Sequence, residues 1–256
     1  MIIDSHAHVN DCALDELRPQ ILQDTLDIPM KFCEVGFDCD SSLRAVDLAE
    51  DNVGVYAIIG THPQEAEKLT KEHLEIYRRL STHPKVVALG EIGLDYHYPD
   101  PPRESQLVAF ERQLRLATTL DLPVVLHVRE SYKDSFDLLS QYAGKIKRGI
   151  LLHCYSGSAE SVKLFDKLDC YYALGGAITF KNAKKEEVIK AIRPDRLLLE
   201  TDCPYMTPVP FRGTPNMPKY VRLVAQKVAE VLGEDVESVI ERTSANTKRL
   251  FYKIVD

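Results

Sequence analysis

The sequence predicts an α/β protein in which eight parallel strands, each followed by a helix, close into a TIM-type (β/α)8 barrel. Three observations support this prediction: eight apolar runs recur at regular spacing, segments with helical periodicity separate them, and no linker or repeat divides the chain. A length of 256 residues suits one such barrel, so a single domain over residues 1–256 is expected. The alternative is an open, doubly wound sheet.

The eight predicted strands are near-continuous apolar runs, which are typical of parallel strands covered by helices. They are, in order, MIIDSHAHV at 1–9, KFCEVGF at 31–37, VYAIIGTH at 55–62, VVALGEIGLD at 86–95, PVVLHVR at 123–129, GILLHCYS at 149–156, YYALGGAIT at 171–179 and RLLLETDCP at 196–204. The Pro-rich segment at 203–218 is predicted to be a long loop after the eighth strand rather than a domain boundary.

Helical periodicity is clearest in two of the intervening segments. Apolar residues repeat at helical spacing at Leu107, Phe110, Leu114 and Ala117, and again at Val221, Val224, Val228 and Val231. The candidate N-caps are Ser41, Ser158 and Asn216, and the candidate helix ends are Gly144 and Gly233.

Composition narrows the class of protein. Apolar residues make up 45% of the chain, and six cysteines occur without a CxxC pair, several of them inside apolar runs, as reduced thiols do in the cytosol. No run reaches the length of a membrane span, and Asp4 and His6 interrupt any N-terminal signal sequence. The net charge of −7 argues against broad electrostatic capture of nucleic acid. We therefore predict a cytoplasmic protein with no membrane and no obligate protein partner.

Two histidines, His6 and His8, stand where the first strand ends. Side chains two positions apart on a strand point to the same face, so both imidazoles are aimed at one point. Neutral imidazole nitrogen is a good ligand for divalent cations, which makes the pair a candidate metal site. The alternative is a histidine pair that lines a polar turn.

Other ionisable residues also stand at strand ends. Glu91 ends the fourth strand, His127 the fifth, His153 the sixth and Asp202 the eighth. Barrel enzymes build their active sites at the carboxyl ends of the strands. In an open sheet, with strands ~4.8 Å apart, these side chains would be spread over roughly 34 Å. Each residue alone has an ordinary explanation, such as a structural hydrogen bond or a turn, but together they predict one shared site.

Six protein ligands exceed the three that a single tetrahedral catalytic ion takes. They suit two divalent ions (Mg, Mn or Zn) about 3.5–4 Å apart with a bridging carboxylate, and Glu91 is the natural bridge because it lies mid-barrel. Two dications outweigh the negative charges of Glu91, Asp202 and a bridging hydroxide. The site therefore stays cationic in an acidic protein, which favours an anionic substrate.

Eight short motifs run in order through nearly the whole chain. They are DSHAH at 4–8, GTHP at 60–63, GEIGLDY at 90–96, LHVR at 126–129, HCYSG at 153–157, ETDCPY at 200–205, PFRGTPN at 210–216 and TSANTKRLF at 243–251. As an ordered set they resemble the TatD family of metal-dependent nucleases, in the amidohydrolase superfamily. The resemblance implies a two-metal barrel enzyme that hydrolyses phosphodiester bonds in DNA, as an exonuclease on single strands or strand ends.

The resemblance also implies a role for each site residue. One ion is held by His6, His8 and Asp202, the other by His127 and His153, and Glu91 bridges them. Glu91 and Asp202 are the catalytic candidates, and Asp202 is expected to orient the attacking water and take its proton. The substrate-binding candidates are His62, Arg129 and Arg212. A bidentate guanidinium suits a phosphate, whereas a loop cap and an exposed loop arginine are the alternatives for His62 and Arg212.

Three positions depart from the family pattern. Leu and Asp are usual after the HxH motif, where this chain has Val9 and Asn10, and Thr214 stands where a basic residue is common. Loss of that positive charge would weaken or redirect the binding of nucleic acid.

Two other functions fit parts of the sequence. One is C–N or ester hydrolysis by an amidase, a lactonase or an aminoacyl-tRNA deacylase, but many such relatives bridge their metals with a carbamylated lysine, and no lysine lies between Lys85 and Lys133. The other is a non-catalytic binding protein with a structural metal. Structural zinc sites are usually closed and rich in cysteine, and this set has no cysteine ligand.

Overall fold

Each of the eight strands pairs with the next one in chain order, and every pair is parallel. The structure, a computed structural model, describes residues 1–255. The strands are β1 Ile2–Ala7, β2 Met30–Val35, β3 Val55–Ile59, β4 Val86–Asp95, β5 Val124–Arg129, β6 Ile150–Leu152, β7 Tyr171–Leu174 and β8 Leu197–Leu199.

The first and last strands meet and close the sheet. Ala7 forms a parallel bridge with Cys203, and the His8 N–H donates to the carbonyl of Cys203 at 2.8 Å. The N–H of Asp202 donates to the carbonyl of His6 at 2.9 Å. The predicted barrel is confirmed, and the open sheet is wrong.

Helices alternate with the strands along the chain. In the described residues they are α1 Arg18–Asp27, α2 Cys39–Asp51, α3 Lys71–Leu80, α4 Arg103–Ala117, α5 Tyr132–Ser140, α6 Ala159–Phe165, α7 Glu186–Ala191, α8 Val221–Leu232 and α9 Val236–Leu250. The two periodic segments lie in α4 and α8. Ser158 caps α6 by accepting from an N–H of its first turn, and Gly233 ends α8 with a left-handed φ of +68°, so both predictions are confirmed.

The other three cap predictions are wrong. Asp38 caps α2, and Ser41 is its third residue, where the two side chains exchange hydrogen bonds with each other's backbone in a capping box. Asn216 is buried and donates through Nδ2 to two carbonyls of the loop after β8. Gly144 lies inside a 3₁₀ turn instead of ending a helix.

Several strands end earlier than the apolar runs do. β6 ends at Leu152 and β8 at Leu199, whereas the runs continue to 156 and 204. Cys154 and Asp202 adopt left-handed backbone conformations, with φ of +42° and +56°, which cannot continue a strand. The chain therefore turns over the barrel mouth at the two places where His153 and Asp202 are expected to act.

All eight strands contribute to one buried apolar cluster, from Ile3 of β1 to Leu198 of β8, and this cluster fills the barrel interior. Leu250, Phe251 and Ile254 of the C-terminal segment belong to it. Since Leu250 packs beside Gly149, which precedes β6, these residues close the amino-terminal end of the barrel. Polar side chains are thereby concentrated at the opposite end.

Candidate metal centre

His6 and His8 lie side by side at the carboxyl end of β1, with their Nε2 atoms 3.2 Å apart. The Nδ1 atom of His8 is 3.1 Å from the carbonyl oxygen of Val35, and because a carbonyl only accepts, this nitrogen carries the proton. The lone pair of Nε2 is therefore available for a cation. Asp202 Oδ1 lies 3.5 Å from Nε2 of His8 and 3.8 Å from Nε2 of His6.

A second pair of histidines packs directly against the first, with the ring of His153 stacked on that of His6 at 3.9 Å between centroids. Nδ1 of His127, on β5, lies 3.2 Å from Nε2 of His153, which follows β6. The other nitrogen of His127, Nε2, lies 3.0 Å from Oδ2 of Asp95. Since an ionised carboxylate only accepts, Nε2 carries a proton, and Nδ1 faces the centre, where a bound ion would replace the proton that it shares with Glu91.

Glu91 joins the two pairs through its two carboxylate oxygens. Oε2 lies 3.5 Å from Nε2 of His6 and 3.8 Å from Nε2 of His8. Oε1 lies 2.6 Å from Nδ1 of His127 and 2.6 Å from Nε2 of His153. We call His6, His8 and Asp202 with Oε2 the first group, and the other two histidines with Oε1 the second group. The six predicted ligands thus converge on one cluster.

The donor set fits divalent ions. Ligand atoms about 2.0–2.2 Å from a tetrahedral ion stand roughly 3.3–3.6 Å apart, and the five distances given for the first group, 3.2 to 3.8 Å, bracket that range. The second group is tighter, with its three distances, 2.6, 2.6 and 3.2 Å, all in the range of hydrogen bonds. Imidazole nitrogen with carboxylate oxygen suits Zn, Mn or Fe.

The electrostatics of the cluster favour positive charge. Burial raises the pKa of Glu91, but the charge of His153 and hydrogen bonds from His127 and His153 outweigh it and hold this pKa well below its usual range. Burial likewise opposes charge on His8, yet Asp202 and Glu91 raise its pKa to about 9. The cluster thus favours positive charge, which protons supply in the absence of metal and which a bound dication would supply instead. This is expected of a cation site.

His62 lies at the edge of this cluster and also caps the 3₁₀ turn Pro63–Lys68. Its Nδ1 accepts a hydrogen bond from the N–H of Gln64 at 3.1 Å. The alternative predicted for His62, a loop cap, therefore describes the role of this nitrogen. Its Nε2 lies 3.6 Å from Oε1 of Glu91. Burial lowers the pKa of His62 to about 3. The neutral ring therefore carries its proton on Nε2, as a donor aimed into the centre.

The two arginines predicted to contact substrate are placed differently. Arg129 ends β5 opposite Asp95 of β4, and its guanidinium lies 5.5 Å from the ring of Tyr98 at the barrel mouth. Arg212 is exposed in the Pro-rich loop and stacks on Phe180, 3.7 Å from the ring centroid. Arg129 thus lies opposite Asp95, which contacts the candidate ligand His127, whereas Arg212 packs on Phe180.

Sequence reasoning missed two acidic residues of the centre. Asp95 holds His127, and Glu200 lies with Oε1 3.6 Å from Nδ1 of His153 while accepting the N–H of Cys154. Asp95 stands four residues after Glu91 on the same strand and so shares its face. Strand alternation could therefore have predicted that Asp95 belongs to the site. Glu200 stands beyond the end of β8, where strand alternation gives no guidance.

The profile of the family described as "TatD related DNase" matches residues 3–252. The chain belongs to this family. A Bacillus subtilis relative, the uncharacterized metal-dependent hydrolase YabD, is 41% identical and aligns over 98% of this chain and 99% of its own length. The 3′-5′ ssDNA/RNA exonuclease TatD of Erwinia tasmaniensis is 33% identical over 84% of this chain and 86% of its own.

A solved structure gives the same result. The crystal structure of YJJV, a TatD homologue from Escherichia coli K12, superposes with a TM-score of 0.90 at 32% identity and covers 98% of both chains. This TatD-family protein is therefore a metal-dependent hydrolase built on the family's barrel.

Two properties bear on where this TatD-family protein works. No helix within residues 1–255 is both long and apolar enough to cross a membrane. All six cysteines are free thiols. Its location in the cytoplasm stays a prediction.

Proposed function

We propose that this TatD-family hydrolase is a nuclease that cleaves phosphodiester bonds of DNA at strand ends, with two divalent ions held by the first and second groups. The observation that carries the proposal is the position of Glu91, whose two oxygens face two different histidine pairs. A carboxylate shared in this way suits paired ions about 3.5–4 Å apart, as in phosphatases and nucleases. Such a centre attracts an anionic phosphodiester.

When bound, the ions would lower the pKa of a water molecule toward ~7 and neutralise the phosphoryl oxygens. Asp202 is placed to orient that water and take its proton, because its Oδ1 faces both histidines of the first group. Burial raises the pKa of Asp202, but the hydrogen bond from His8 and the charges of His153 and His6 outweigh it and lower this pKa. The carboxylate is thus ionised and able to accept a proton.

Two further side chains are suited to hold the substrate phosphate. His62 presents its Nε2–H beside Glu91, where it would donate to a non-bridging oxygen. Arg129 presents a guanidinium at the mouth, and it can form two parallel hydrogen bonds to one phosphate. Both residues would fix the phosphate without contacting the attacking water. Arg212, also exposed on a mouth loop, would meet a more distant part of the strand.

The rival hydrolase functions find less support in the centre. Neither lysine that flanks the Glu91 segment points toward it: Lys85 donates to the carbonyls of Asn52 and Val55, and Lys133 pairs with Asp137. A carbamylated lysine bridge therefore has no candidate in this segment. The Erwinia relative is named as an exonuclease on single-stranded DNA and RNA, which supports a nucleic acid end as the substrate.

A panel of substrates tests the proposal. End-labelled single-stranded DNA, the matching RNA, a bis-aryl phosphodiester and a lactone are each incubated with Mg, Mn or Zn. We expect a ladder of DNA products shortened one nucleotide at a time, lost in His153→Ala and retained in His73→Ala, a histidine of α3 whose hydrogen bonds lie within its own helix cap. Turnover of the lactone without cleavage of any nucleic acid would refute the proposal.

A further inference from the structure

A pocket of about 260 Å³ opens beside the first group and the bridging carboxylate. His8, His62 and Glu91 form the part that adjoins the metal centre. Its outer walls come from loops that follow β1, β2, β3 and β8. A substrate whose phosphate reaches the ions must therefore place its next group in or near this pocket.

The outer walls carry two exposed aromatic rings. Phe37 is 40% exposed and Tyr205 is 53% exposed. Tyr205 is held in place, because its hydroxyl donates to Oδ2 of Asp11 at 2.9 Å and its ring meets the ring of His8 edge-on at 6.3 Å. Large exposed apolar surfaces cost solvation free energy, and at the mouth of a pocket they mark binding sites.

Exposed aromatics are concentrated at this end of the molecule. Those in the described residues that are large and exposed are Phe37, Tyr98, Tyr205, Phe211 and Tyr252. Phe37, Tyr98 and Tyr205 stand on loops beyond the carboxyl ends of strands, whereas Phe211 lines a separate pocket with Met1 and Ile28, and Tyr252 packs against Asp121 at the amino-terminal end. Three of the five exposed rings thus lie at the same end of the barrel as the metal centre.

The charge of the pocket indicates what kind of group it takes. None of the residues that line it within the described chain is a lysine or an arginine, and Asp11 and Glu65 are acidic. A phosphate finds no positive partner on the outer walls, whereas the inner part of the pocket offers it His62 and the ions, and Arg129 lies elsewhere at the mouth. Gln64 also lines the pocket, and its buried Nε2 has no hydrogen-bond partner in the described residues. The pocket thus suits a flat, uncharged group with hydrogen-bonding edges.

We infer that this pocket binds an unpaired nucleobase adjoining the scissile phosphate, packed against the rings of Phe37 and Tyr205. The inference rests on the proposed nuclease function and adds to it the residues, Phe37 and Tyr205, that would contact a base of the strand. Bases of every type stack on aromatic rings, so the pocket recognises a base without demanding a sequence. A base engaged here is unavailable for pairing, so a duplex end must fray before it can be cut.

A double-mutant cycle that combines a substitution in the enzyme with removal of a base from the substrate tests the inference. A labelled single-stranded hexanucleotide is compared with two versions that carry a stable abasic residue on either side of the scissile linkage. For Phe37→Ala and Tyr205→Ala we expect KM on the intact strand to rise about 5- to 150-fold, as for loss of one base–aromatic stack, with a smaller change in kcat. The abasic strand that lacks the base bound in the pocket should raise KM of the wild type by a similar factor. Combining this strand with either aromatic substitution should raise KM little more than either change alone.

Matched variants separate stacking from other effects. Tyr205→Phe keeps the ring without the hydrogen bond to Asp11, so its KM should rise less than that of Tyr205→Ala. Phe37→Leu keeps apolar bulk without an aromatic face, and it replaces Phe37→Ala if the latter unfolds. Tyr252→Ala, at the far end of the barrel, should change neither constant.

The outcomes distinguish failure of the base-binding inference from failure of the proposed nuclease function. Coupling of at least about 5-fold between an aromatic residue and either base supports the inference. Independent, multiplicative effects at both aromatic residues in an active enzyme overturn it while the nuclease function stands. A wild type that cleaves no oligonucleotide with any of the three metals overturns the nuclease function, and the inference with it.

Discussion

Asp95 holds the ring of His127 from the side opposite Glu91. Oδ2 of Asp95 lies 3.0 Å from Nε2, while Nδ1 of the same ring lies 2.6 Å from the Glu91 carboxylate. Burial raises the pKa of Asp95, but the hydrogen bond and charge of His127 outweigh it and lower this pKa. A carboxylate so placed fixes the tautomer of a metal-binding histidine and raises its basicity.

We therefore expect Asp95→Asn to weaken metal binding at the second group by about 10- to 100-fold. An amide has only one acceptor oxygen, and Asp95 also accepts the N–H of His97. Calorimetric titration of the chelated protein with Zn or Mn measures the effect. Asp121→Asn, at the amino-terminal end, is the control. Wild-type affinity at both ions in Asp95→Asn would show that His127 needs no such support.

Asp202→Asn should separate catalysis from assembly. The left-handed backbone of Asp202 is one that Asn adopts readily, so the substitution should leave the loop intact. In the proposed mechanism it removes the charge that would hold the first ion and the carboxylate that would take the proton of water, and loss of a general base typically lowers the rate 10²- to 10⁴-fold. Excess metal should restore occupancy but not kcat. Full metal stoichiometry with a near-wild-type kcat would leave Asp202 as a ligand only.

Arg129→Ala should weaken the contact with substrate while leaving the metal content unchanged. Loss of one charged hydrogen bond costs roughly 1.5–3 kcal/mol, or about 10- to 150-fold in kcat/KM on a phosphodiester. Arg129→Lys should recover only part, because an ammonium lacks the planar fork. Arg148→Ala is the control, since its guanidinium pairs with Asp121 far from the mouth. An unchanged kcat/KM for Arg129→Ala would make this residue structural.

Chelation should abolish activity without unfolding the protein. The barrel interior and its helical cover are apolar and continuous, and the candidate ligands lie at one end of it, so the fold does not depend on metal. Far-UV circular dichroism before and after EDTA treatment, with activity recovered on adding metal back, measures this. Loss of the helical signal on chelation would instead indicate a structural metal.

Asp4 is expected to matter through hydrogen bonds rather than through charge. It is fully buried and accepts from the N–H groups of His6 and Thr201 and from the Thr201 hydroxyl. Burial raises the pKa of Asp4 well above its usual range, and Asn keeps the shape of the side chain and one of its two acceptor oxygens, so it should be the milder substitution. Asp4→Ala leaves three buried donors unpaired and should lower the free energy of unfolding by about 3 kcal/mol or more. Urea denaturation in EDTA compares the variants, and equal losses for Ala and Asn would contradict this account.

The strands and the positions of the candidate ligands could be predicted because both follow from simple periodicities. Parallel strands present their carboxyl ends at one face, so His6, Glu91 and His127 had to lie close together once the sheet closed. Residues 86–95 were predicted as a strand, and β4 has those bounds.

The ends of β6 and β8 could not be predicted in this way. Their apolar runs continue past the last ladder bond, and only the backbone turns at Cys154 and Asp202 stop the strands. Glu200 escaped for the same reason, because its contact with His153 depends on how two loops fold over the mouth. Asp38 displaced Ser41 as a cap because both residue types suit that position and only the local backbone chooses between them.

The closure of β1 on the segment after β8 also has a consequence for biosynthesis. Asp4 and Thr201, which hydrogen-bond each other beside the first group, are 197 positions apart in the chain. At roughly 5–20 residues per second, a ribosome exposes the HxH motif on the order of 10–40 s before it adds the aspartate that completes the set. A nascent chain, or one that terminates early, therefore has an incomplete set of ligands, and we expect it to have no hydrolase activity. We expect activity only from the finished barrel, so the cell would not be exposed to a partly made hydrolase.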